Sequence, residues 1–166
     1  MKALVRPPFR PFGLGLGFVL ALSGSARGQD DHDASVRAQN LPAEIRGRLE
    51  SSPFGKRYEA SFELNPFYLR GDFDGDGQPD VALLIRERTS GKVGIAFFRA
   101  AAAAPVVLGA GIEFGNGGDD FAWMEVWSVL PAEGGDAEGL YVEKPEAASA
   151  VIAWDGRGFV WRQLGD

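Results

Sequence analysis

Gly71-Asp72-Phe73-Asp74-Gly75-Asp76-Gly77-Gln78-Pro79-Asp80 runs directly into the apolar segment Val81-Ala82-Leu83-Leu84-Ile85. Four carboxylates within nine residues, Asp72, Asp74, Asp76 and Asp80, repel one another in a folded loop unless a cation or water separates them. Their spacing matches a calcium loop. Asp72, Asp74 and Asp76 stand at positions 1, 3 and 5, and Gly77 stands at position 6, where a sharp turn needs unusual dihedrals. Gln78 at position 7 would offer its backbone carbonyl, and Asp80 fills position 9. Position 12 is Leu83 rather than a bidentate glutamate, and the residues around it read as a strand. A helix-loop-helix site is therefore disfavoured, and Asp80 is expected to ligate in place of the missing glutamate. Oxygen-only donors favour calcium over zinc or copper. The expectation is one structural calcium ion at Asp72, Asp74, Asp76, Gln78 and Asp80, in a loop between two strands.

The stretch from Gly71 to Ala82 resembles the calcium loop of FG-GAP (integrin-α-like, VCBS-type) repeats. The resemblance covers about a tenth of the chain that follows the N-terminal signal described below, and the motif occurs once. It implies a strand-loop-strand metal site on the same five residues and no catalytic activity.

Upstream of the loop, Lys2, Arg6 and Arg10 form a basic segment without acids, and Phe12 to Leu22 is a short apolar run. Ser23 to Gly28 is small and turn-prone, with Ala26 and Gly28 at the cleavage-determining positions, so residues 1–28 read as an export signal cleaved after Gly28, with cleavage after Ala26 as the alternative. The apolar run is shorter than the roughly 20 residues that span a bilayer, so no membrane insertion is expected once the signal is removed. Removal takes four of the 17 basic residues and none of the 23 acids, leaving 13 against 23 and a net charge of −10. The signal leads to the expectation of a secreted or periplasmic protein, and the acidic charge argues against nucleic acid and anionic membrane surfaces as partners. With no cysteine in its 166 residues, packing, and a metal where one binds, must hold it together.

Residues 29–39 are polar and acidic, include the sole histidine, His32, and read as a disordered leader. Residues 40–166 read as a single globular domain. Leu41, Ile45 and Leu49 make one stripe of a short amphipathic helix from Leu41 to Ser51, with Asn40 as N-cap and Ser52-Pro53 as its end. Thereafter period-two patterns recur between turn residues, predicting strands from Phe67 to Gln163. Short connections demand antiparallel pairing. The fold class expected is α+β, an N-terminal helix packed on an antiparallel β-meander sheet. In the last hairpin a two-residue turn at Asp155-Gly156 or Gly156-Arg157 puts Ile152, Trp154, Phe159 and Trp161 on one face. These aromatics, with Trp123 and Trp127, are expected to form the core against which the helix packs; the alternative is an exposed platform for sugar or peptide.

Gly109 to Gly115 lacks the glycine spacing and the following helix of a dinucleotide-binding turn. Gly118-Asp119-Asp120 is a second acidic spot, expected to be a solvated loop; the alternatives are a cap on a strand end or a further carboxylate for the ion. Without cysteine, and with its one histidine in the leader, the chain has little for nucleophilic catalysis. The functional expectation is an exported, calcium-stabilised, non-enzymatic binding or interaction domain with a protein or glycan ligand. A small carboxylate-dependent hydrolase and a structural envelope component are the alternatives.

Overall fold

The computed structural model describes residues 35–132, 134 and 137–165. The export signal and residues 29–34 of the leader lie outside the described residues. The end of that leader is not irregular: residues 35–39 are helical.

Helix α1, Ala43–Ser51, begins two residues later than its apolar stripe. Asn40 does not cap it, because the Asn40 N–H closes the preceding helical turn on the Arg37 carbonyl (3.0 Å) and Pro42 occupies the N-cap. Proline at 53 does not end helical structure either. Ser52 breaks α1 with extended dihedrals, and Pro53 then opens a second short helix, α2, Pro53–Arg57. Proline lacks the N–H that a first helical position would leave unpaired, so it starts a helix as readily as it stops one.

The strands are β1 Tyr58–Ala60, β2 Tyr68–Gly71, β3 Asp80–Glu87, β4 Val93–Phe98, β5 Val106–Gly109, β6 Val126–Leu130, β7 Gly139–Lys144, β8 Ala148–Trp154 and β9 Phe159–Gly165. All pair antiparallel, but they form two sheets rather than one meander. The first has the order β1-β3-β4-β5, with β2 also on β3; the second is β6-β7-β8-β9. The division falls in the 110–125 connection, where Gly111, Gly115 and Gly118 take positive φ and Gly115–Gly117 form a 3-10 turn.

β3 explains the layering. One face of β3 and β4, carrying Ala82, Leu84, Ile95 and Phe97, packs against Trp127, Leu140, Val142, Ala150 and Ile152 of the second sheet. Their other face, carrying Val81, Leu83, Ile85, Ala96 and Phe98, packs against Leu41 and Ile45 of the helix layer. A strand covered on both sides reads as a continuous apolar run rather than an alternation, which is why Val81 to Ile85 is unbroken.

The helix therefore does not pack on the large aromatic core; it packs on the opposite face of the first sheet, with Phe54 edge-on to Phe98 at 5.4 Å. The aromatic core lies between the sheets. The last hairpin pairs Ile152 with Trp161 and Trp154 with Phe159, placing these four on one face as their spacing requires. Trp127 is buried in β6, whereas Trp123 precedes that strand and packs on the same core from the connection. Among the described residues no helix is long and apolar enough to cross a membrane.

Candidate metal centre

The β2–β3 connection is the acidic loop, and its ends are fixed by pairing of Gly71 with Asp80. Between them Phe73 turns inward. It is wholly buried and meets Phe97 edge-on at 5.3 Å, so the loop is anchored in the inter-sheet core by the one apolar side chain within it. Its neighbours Asp72 and Asp74 are both half-buried, and the Asp74 side chain itself is nearly enclosed.

The carboxylates organise the loop backbone. Asp72 accepts the N–H of Asp76 (3.0 Å) and of Gly77 (2.8 Å), Asp74 accepts that of Asp76 (3.3 Å), and Asp76 accepts that of Gln78 (2.8 Å). Gly77 holds φ at 80°, which a residue with a Cβ adopts only under strain. Asp80 closes the loop from below. It is fully buried, and its two oxygens accept the N–H of Phe73 (3.1 Å) and of Ala100 (2.8 Å). Burial is the main cause that raises its pKa; the Ala100 N–H opposes it, and the charges of Asp74 and Asp76 add to it.

One carboxylate oxygen from each of Asp72, Asp74 and Asp80 lies within 4.8 Å of the others. At an effective dielectric of about 20, each ionised pair at such a separation costs on the order of 3 kcal/mol. Two features bear on that cost. Arg99 pairs with Asp74 at 3.3 Å, the two side chains being 24% and 7% exposed, and its guanidinium stands 4.7 Å above the Trp154 ring. Asp80 has no cationic partner among the described residues. The donor set, three carboxylates with oxygen atoms only and a backbone already bent around them, suits a hard divalent cation.

Of the five residues expected to ligate, the structure brings together Asp72, Asp74 and Asp80. Asp76 and Gln78 are exposed on the rim, Asp76 turning its carboxylate to the Gln78 N–H. Asp119 and Asp120 do not join the group. Asp119 pairs with Lys92, and Asp120 accepts the N–H of Val93 (2.9 Å) and Ala122 (3.0 Å), fixing the start of β4.

Two contributors escaped the sequence. Glu138 approaches from the second sheet, accepting the Asp72 N–H through its side chain (2.7 Å) while its own N–H donates to the Asp72 carbonyl (2.7 Å). A Cβ at position 71 would lie 2.7 Å from the Glu138 carboxylate, so Gly71 permits that approach. The second is Arg99. Neither stands out in sequence, because both act across the fold, Arg99 on Asp74 at a separation of 25 residues and Glu138 on Asp72 at 66.

Comparison of the chain with protein-family models, with curated proteins and with solved structures gave no match.

Proposed function

We propose that the chain is an exported binding domain in which one calcium ion, held by Asp72, Asp74 and Asp80 with Asp76 and the Gln78 carbonyl completing the shell, braces the β2–β3 loop. The observation that carries this reading is the convergence of three carboxylates, one of them fully buried and without a counter-charge. A cation there offsets their repulsion and favours the ionised form of Asp80. The bracing role follows from what the loop joins: two strands of the first sheet directly, and the second sheet through Phe73 and Glu138. Export rests on the residues 1–28, and a binding rather than catalytic role rests on the resemblance of the loop to FG-GAP repeats.

Thermal melts with calcium and with chelator test the proposal. Calcium at 100 times its dissociation constant should stabilise the fold by about 2.7 kcal/mol. Asp74→Ala should remove the calcium-dependent shift, while Glu125→Gln, at an exposed position outside the loop, should keep it. Equal melting temperatures with calcium and with chelator in the unsubstituted protein would sink the proposal.

A further inference from the structure

We infer that the open edge of β1 docks an extended peptide segment of a partner protein, one carrying acidic side chains. The inference deepens the reading of the chain as a binding domain but makes no use of the cation. Among the described residues β1 has a strand on one side only, β3. Ser61 donates its N–H to Leu84 (2.8 Å) and Arg88 donates to Arg57 (2.9 Å), so residues 57, 59 and 61 direct their backbone groups at β3. By the alternation of an antiparallel ladder, the backbone groups of Tyr58 and Ala60 point the other way. The Tyr58 N–H is taken by the Phe54 carbonyl. Both backbone groups of Ala60 are left along the open edge, a starting point for one more strand.

The space beside that edge is shaped to receive one. A cavity of about 1010 Å³ has Ala60 in its lining. Leu41, Arg46 and Leu49 of the helix layer flank it on one side, and Arg86 and Arg88, from the opposite face of β3, on the other. An added strand would thus lie between the helix layer, which presents Leu49 and Arg46, and the arginines of β3.

Charge sets the character of the occupant. Arg86 and Arg88 are already paired with Glu63 and Glu59. Arg37 and Arg46 donate only to backbone carbonyls, those of Phe62 (3.3 Å) and Gln39 (3.4 Å). Among the described residues neither has a carboxylate within ion-pair distance, and that includes Glu50, the remaining acid of the lining. Two guanidinium groups without a carboxylate partner among the described residues, beside an open strand edge, select an extended segment with carboxylates on alternate residues, all on one face.

The test is fluorescence anisotropy of a dye-labelled Val-Glu-Val-Glu-Val amide, with Val-Lys-Val-Lys-Val amide as the charge-reversed control. The glutamate peptide should bind at least about tenfold more tightly than the lysine peptide. Replacing both Arg37 and Arg46 by alanine should erase that preference. Ala60→Pro, which removes one outward N–H while sparing the bonds to β3, should weaken the glutamate peptide in a variant whose circular dichroism is unchanged. Should Ala60→Pro misfold, the arginine double variant decides, since those side chains are exposed or half-buried. Equal binding of the two peptides, no binding at millimolar peptide, or a preference that survives in the double variant would overturn the inference. Asp74→Ala should leave peptide affinity unchanged, so a failure here and a failure of the calcium proposal are read separately.

Discussion

Phe73 does at residue scale what no aspartate of its loop can do. A run of acids has no reason to adhere to a protein, yet one phenylalanine among them is fully buried against Phe97, and it anchors the loop that carries its flanking aspartates. Phe73→Ala should cost about 3–5 kcal/mol, read as a lower urea midpoint, and should weaken calcium binding because the loop that brings Asp72 and Asp74 together loses its anchor. A variant that loses stability yet binds calcium as before would show that the loop holds its shape without the anchor. Glu87 gives a second prediction at this scale. It is 9% exposed and accepts the N–H of Ser90 (2.6 Å) and of Thr89 (3.0 Å). The Ser90 N–H, then the Ser90 hydroxyl, hold its carboxyl below the usual value. A folded-state pKa below the unfolded value, about 4.3, contributes stability that is present above that pH and is lost as pH falls through the folded value. Glu87→Gln should therefore cost more stability at pH 7 than at pH 3, measured as the difference in urea midpoints from the unsubstituted protein at each pH. A difference that does not change with pH would contradict this account.

Among the elements, β3 carries most of the architecture because it is buried on both faces. Its outer face makes α1 a layer in its own right, so Ile45→Ala, emptying a site 2% exposed, should cost about 2–5 kcal/mol by chemical denaturation. Tryptophan fluorescence should change little in the native baseline, since Trp127 and Trp161 belong to the other core. How much of this was legible varied with the range of the signal. The last hairpin, Ile152 with Trp161 and Trp154 with Phe159, could be read because two-residue turns fix register locally. The split into two sheets could not, since both options leave the same alternation in β6 to β9 and differ only in which strand lies beside β5. The helix was assigned to the wrong core for the same reason: the unbroken run Val81 to Ile85 signals burial on both faces but not which layer covers which. β1 and α2, at three and five residues, are too short for any periodicity to register. At the site, Asp72, Asp74 and Asp80 were legible from spacing, whereas Glu138 and Arg99 depend on tertiary approach.

Taken as a whole molecule, the acidic loop at the start of β3 is held to both sheets. Phe73 and Glu138 tie it to the inter-sheet core and the second sheet, while Arg99 links Asp74 to Trp154 of β8. Glu138→Ala would leave the Asp72 N–H without its acceptor, a loss of about 1–3 kcal/mol, and should lower calcium affinity and melting temperature together; Glu138→Gln, which keeps an acceptor oxygen, should recover most of the stability. Ion, loop and sheet packing are on this view one coupled unit. The central claim is that the carboxylates hold calcium, and calorimetric titration of the chelator-treated protein with calcium tests it most directly. One ion per chain should bind with a dissociation constant of about 10⁻⁴ to 10⁻³ M, the range of extracellular modules, and Asp74→Ala should abolish the binding. Absence of saturable calcium binding, or binding that persists unchanged in Asp74→Ala, would contradict it.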